Sequence, residues 1–257
     1  MRSPYRSSSN ITYAMGPGPV TPVVKALLVA NVAMFVVARL LPGLVAPLGL
    51  VPEEVLTQLR VWQLVTYLFL HGGVFHILFN MLTLWMFGVE LERMWGSRYF
   101  ARFYFVAGVG AGLTQIIASL LPFGPLASLY YAQTIGASGA IYGLLLAYAM
   151  YFPHRQIMFW GLFPIEVRYF VLIMGAISLL SAADGAGGVA HMAHLGGIAA
   201  GYLYLKSGRA TGGLTGRLNV IAEIKYRYVK WRINKMRRRF DVYSGGRTND
   251  DINRRIH

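Results

Sequence analysis

Three apolar stretches of this 257-residue chain carry polar side chains whose types and spacing could perform acyl transfer. The segment TIGASGAIYG holds Ser138, with Tyr142 one helical turn further along the same face. The segment HMAHLGGIAAG holds His194, with Gly197 and Gly201 following at spacings of three and four. The segment HGGVFHILFN sets His76 and Asn80 four apart, again on one helical face. Acyl transfer needs a nucleophilic hydroxyl, a neutral imidazole to take its proton, and donors for the oxyanion. Ser138 supplies the hydroxyl and His194 the base. Asn80, His76 and the backbone N–H of Ser138 are the donors on offer. A helix opening at Ser138 would add the positive end of its dipole.

Other chemistries fit less well. The chain has no cysteine, which removes disulfides, thiolate catalysis and cysteine-ligated metals. HExxH does not occur, and His191 with His194 is a three-spaced pair without a third ligand, so neither a metal nor another cofactor is expected. Asp184 stands alone near an outer loop, so a two-aspartate site is not supported. GASGA is not the GxSxG nucleophile elbow, and no strand precedes it. His191 is expected to be a wet, interfacial neighbour of His194, and His71 a loop-ordering residue.

The elements that must position these residues are membrane helices. The chain is 56% hydrophobic and only 13% charged, well below a soluble domain's share of charge. Apolar segments at about 22–41, 74–94, 98–121, 135–152, 165–182 and 188–206 are long enough, or nearly so, to span a bilayer. Basic residues flank the second turn, the Arg155 turn and the C-terminal end, whereas the loops at 121–134 and 182–188 have none. The positive-inside bias then puts both termini in the cytoplasm. Spans two, four and six all run inward, which brings His76, Asn80, Ser138 and His194 to one depth, roughly 5–10 Å below the outer surface. Gly136, Gly139 and Gly143 on the fourth span, with Gly197 and Gly201 on the sixth, would let those helices approach closely. The stretch between spans one and two is broken by Pro42, Pro47 and Pro52 and carries Trp62 and Tyr67, so it reads as a lateral structure in the outer leaflet.

GASG with Tyr142, the His71–His76–Asn80 pattern and AHLGG with Gly201 resemble the rhomboid family of intramembrane serine proteases. The resemblance covers about residues 60–205. It implies an all-α, six-span bundle that cuts transmembrane segments near their extracytoplasmic ends, by a Ser138–His194 dyad without an acid. It also implies that Tyr142 packs on the histidine, that His76 and Asn80 serve the oxyanion hole, and that Glu92 of the Gly88–Glu92 pair is structural. The chain departs from the family at Trp62-Gln63, where Trp-Arg is common. Partners implied are membrane-protein substrates, in a membrane that reads as a bacterial inner membrane.

Two tails flank the membrane body. Residues 1–21 are rich in Ser, Pro and Gly and read as a flexible tail. After the last span, 14 of the 24 basic residues lie between Lys206 and Arg255 against four acids. Within this 207–257 tail, Leu218, Ile221, Ile224, Tyr228 and Trp231 recur at three and four, so 217–240 reads as a basic amphipathic helix. On the cytoplasmic side it suits anionic lipid headgroups rather than nucleic acid. Glu92 is expected to pair with an arginine.

Overall fold

The computed structural model describes residues 17–121, 126, 128–159, 163–183 and 188–207. The described residues all belong to one compact unit. The N-terminal tail up to residue 16 and the expected helix at 217–240 lie outside the described residues.

Among the described residues, the long helices are α1 (Pro22–Leu40), α2 (Val74–Trp95), α3 (Ser97–Ser119), α4 (Ser138–Tyr151), α5 (Val167–Ala183) and α6 (Gly188–Lys206). Three of them, α1, α2 and α3, are long and apolar enough to cross a membrane. The helix α4 is apolar but has 14 residues, about 21 Å of rise against a hydrocarbon core near 30 Å. It starts three residues later than expected, because the chain ahead of it is held in an extended lead-in. Thr134 pairs with Leu50 in an isolated bridge, and the Gly136 N–H donates to the Tyr67 carbonyl, 2.9 Å.

The bundle is apolar on its outer face as well as in its core. Large apolar side chains such as Val29, Val32, Leu172, Ile173 and Leu180 face outward. Asn31, Asn80, Glu92, Gln115 and Ser178 are buried within. That is the arrangement expected where the surrounding solvent is itself apolar and polar groups must find partners inside. α6 packs chiefly on α3 and α4, with α5 against its other side. Small residues permit this. A Cβ on Gly197 would land on the carbonyl oxygen of Gly139, and one on Gly143 would come within 2.7 Å of the Ala107 Cβ.

The connection between α1 and α2 is a folded lateral structure of short turns: Pro42–Leu44, Val45–Leu48, Pro52–Thr57, Gln63–Thr66 and Tyr67–Phe69. Gln63, at the departure from the family's Trp-Arg, is fully buried and ties it together. Its Oε1 accepts from the Val51 N–H at 3.0 Å, and its Nε2 donates to Glu54 and to the Pro47 carbonyl. Tyr67 anchors the turn's end by donating to the Gly108 carbonyl on α3, 2.7 Å.

Two expectations need correction. The turn around Arg155 is an antiparallel hairpin, β1 (Gln156–Phe159) and β2 (Phe163–Glu166), paired from Gln156↔Glu166 to Phe159↔Phe163. The fold is therefore mostly helical rather than all-α. Short apolar runs such as QIMF and FPIE lack the length that would reveal a period. Glu92, expected to pair with an arginine, instead accepts from the Thr21 and Ser97 hydroxyls and from the N–H groups of Val23 and Val24. It caps the start of α1, where free backbone donors and the helix dipole favour an anion. The Arg155 guanidinium goes to Glu90, which also accepts from the Tyr148 hydroxyl at 2.8 Å.

Candidate active site

Ser138 is the first residue of α4. Gly136 makes this possible, since its φ of +124° suits only glycine. A side chain there would also collide with the His76 ring, whose Nε2 lies 2.8 Å from the Cβ position. With the lead-in pinned at Thr134 and Gly136, the Ser138 hydroxyl is set at the head of the helix, beside backbone N–H groups that have no intrahelical acceptor.

His194 reaches this hydroxyl from α6. Its Nε2 lies 2.8 Å from the Ser138 Oγ, so the hydroxyl can donate to an unprotonated ring nitrogen. Tyr142, one turn below Ser138, lies flat on the imidazole with centroids 4.0 Å apart and planes 7° apart. His191 stands edge-on to His194 at 5.8 Å. Gly139 and Gly197 lie at the backbone contact that brings α4 and α6 into reach, and Gly201 continues it against Gly143.

His76 and Asn80 are brought to the same end from α2. The His76 Nδ1 accepts from the Gly72 N–H at 3.4 Å, so in the neutral ring the proton goes to Nε2, the atom that faces Gly136. The Asn80 Nδ2, in contrast, donates to the His76 carbonyl of its own helix, 3.0 Å. Asn80 is therefore buried with its amide engaged by its own helix. His71 packs its ring edge against His76, centroids 5.0 Å apart. Burial, and secondarily the neighbouring His76, push its pKa down to about 4, so it is neutral at ordinary pH.

One residue at the site was not anticipated. Ser178 of α5 is fully buried, its Oγ 3.4 Å from the His194 Nδ1 and donating to the Tyr142 hydroxyl at 3.2 Å. Its sequence signal is only a hydroxyl in an apolar helix, which most often bonds back to its own helix.

The Rhomboid domain model matches residues 58–209, which include each of these side chains. The chain belongs to the rhomboid family. It is 32% identical to RHOMBOID-like protein 1 of Arabidopsis thaliana over 148 residues, 56% of this chain and 33% of that protein. It is 30% identical to Rhomboid protease GluP of Bacillus subtilis over 155 residues, 60% of this chain and 27% of that protein. It is also 33% identical to Derlin-1 of Arabidopsis thaliana over 166 residues, 63% of this chain and 57% of that protein. The chain thus matches less than two thirds of the length of each, and the names span a protease and proteins not named as such. As a rhomboid with apolar helices long enough to cross a bilayer, it is an integral membrane protein.

Proposed function

We propose that this rhomboid is a six-span intramembrane serine endopeptidase with both termini cytoplasmic, in a bacterial inner membrane. The observation that carries the reading is the 2.8 Å approach of His194 Nε2 to Ser138 Oγ beneath a stacked Tyr142. Ser138 attacks the scissile carbonyl while its proton passes to His194 Nε2. The Ser138 N–H and the His76 Nε2–H face the developing oxyanion, and Asn80 joins them if its amide turns from the helix. His194 then protonates the leaving amine, and an acyl-enzyme on Ser138 Oγ remains. Water from the outer side, deprotonated by His194, hydrolyses it. A backbone carbonyl must leave its helix to be attacked, so substrates with Gly, Ala or Pro near the outer surface are favoured. The basic segment after Lys206 is proposed, on its composition, to hold anionic headgroups.

The second reading is a non-proteolytic rhomboid-like binder of membrane clients. The similarity to Derlin-1, which is not named a protease, is the observation on its side. Labelling by a fluorophosphonate probe separates the two, alongside cleavage of a model transmembrane substrate. Wild type should label and cleave, Ser138→Ala and His194→Ala should do neither, and His191→Ala should retain most activity. Cleavage by Ser138→Ala above about a tenth of wild type removes Ser138 from the mechanism.

A further inference from the structure

The stack of Tyr142 on His194 fixes the plane of the imidazole but not its orientation within that plane. A half-turn about the Cβ–Cγ bond would keep the stack and exchange the ring nitrogens for carbons. It would leave Ser138 facing a C–H. The Ser138 bond at Nε2 favours the productive orientation from one side of the ring, and a partner at Nδ1 would favour it from the other.

Ser178 is there. Its Oγ is 3.4 Å from His194 Nδ1 and 3.2 Å from the Tyr142 hydroxyl, on a fully buried side chain. A serine in an apolar helix can satisfy itself on a carbonyl one turn back. This one instead meets two polar atoms from two other helices, α4 and α6. We propose that Ser178 is a positioning residue that sets the ring orientation and tautomer of His194. The inference deepens the protease reading and rests on it.

The direction of each bond follows from proton count. For His194 to act as base, Ser138 O–H donates to Nε2, which must be bare. The neutral ring then holds its proton on Nδ1, and the acceptor that the described residues offer is Ser178 Oγ. Ser178 has one proton, and it goes to the Tyr142 oxygen. The donors run in one sense, Ser138 to His194 to Ser178 to Tyr142. When the Ser138 proton moves to Nε2, the ring becomes a cation and the Nδ1–H···Oγ bond becomes charge-assisted. A hydroxyl stabilises that cation less than a carboxylate would, but it places no fixed charge inside the bilayer, where an unpaired one is costly. Because Ser178 sits on α5, the orientation of the base depends on α5 remaining docked against α4 and α6.

The test uses the full-length protein in detergent, labelled with ¹⁵N-histidine. The ring resonances of His194 are assigned by their loss in His194→Asn. Wild type should show one tautomer, protonated at Nδ1. Ser178→Ala and Ser178→Cys should show a mixture and lower kcat about tenfold with KM within about twofold. Cysteine nearly matches serine in size, so a drop in both variants is not a cavity effect. Ser178→Thr, which keeps the hydroxyl, should stay near wild type in spectrum and kcat. An unmoved tautomer in the Ala and Cys variants overturns the proposal, whether kcat holds or falls. If wild type neither labels nor cleaves, the protease reading fails, and the spectra still decide whether Ser178 orients the ring.

Discussion

The phenol of Tyr142 and the imidazole of His194 are parallel to within 7° at a centroid distance of 4.0 Å, although they come from different helices. Such a stack restrains a ring that, in the proposed mechanism, has to receive and release a proton without tilting. Aromatic pairs contribute about 0.5–1.5 kcal/mol beyond burial, or up to roughly tenfold in rate.

Tyr142→Ala should therefore lower kcat about tenfold, whereas Tyr142→Phe, which keeps the ring, should lose only a few-fold. Steady-state turnover of the folded protein decides it. If Phe is as damaging as Ala, the hydroxyl rather than the stack is what matters.

The approach of α4 to α6 rests on the absence of side chains. A Cβ on Gly197 has no room against the Gly139 carbonyl, and backbone cannot yield as a flexible side chain can. Gly197→Ala should cost about 3 kcal/mol or more and abolish probe labelling by separating His194 from Ser138. Gly175 on α5 is the control: an added Cβ there would meet only the Ile198 Cδ1, at 3.9 Å. Gly175→Ala should be neutral or slightly stabilising, because alanine is the better helix former. Melting temperatures of the two variants compare the sites directly, and equal effects would mean that the close approach is not what holds the dyad.

Much of this site was legible because helical spacing is a strong constraint. His76 and Asn80 four apart, Ser138 at a helix start and His194 three before a glycine could be aligned by counting residues. What counting could not supply were contacts that depend on long-range packing. Ser178 is one hydroxyl in an apolar helix until α4 and α6 are beside it. In the sequence Gln63 reads as the loss of a familiar arginine, and only the folded turns around it show how many groups it joins. In the sequence Glu92 reads as half of an ion pair, because a carboxylate near a basic turn usually is. Its partners are the start of α1, some 70 residues earlier in the chain. The amide of Asn80 also escapes pattern reading, since both of its roles require the same position.

His71 gives a pH dependence. Its folded-state pKa is lowered from the ordinary 6.5 to about 4 by burial and then by His76, so the folded state holds the ring neutral while the unfolded chain binds a proton near 6.5. Protons thus favour unfolding: the stability is complete above about pH 6.5 and is lost progressively as pH falls towards about 4. The melting temperature of wild type should fall more steeply over this window than that of His71→Gln. Parallel curves would show that the ring is already solvated or charged in the fold.

The proposed oxyanion donors can be ranked. His76 has Nδ1 occupied by the Gly72 N–H and Nε2 facing Gly136, so its donor is aimed before substrate arrives. Asn80 spends its Nδ2 on the His76 carbonyl and must break that bond to donate. Preorganised donors contribute most, because they need no reorganisation as charge develops. His76→Ala should lower kcat by about 10²-fold with little change in KM. Asn80→Ala should lower kcat less than that and also lower the melting temperature, since its amide is buried and bonded to α2. Melting temperature and kcat measured on one preparation of each variant separate the roles. A fully active but destabilised Asn80→Ala would leave Asn80 as helix glue alone. An Asn80→Ala protein of unchanged stability that loses more turnover than His76→Ala would reverse the ranking and make the amide, once turned from its helix, the principal donor.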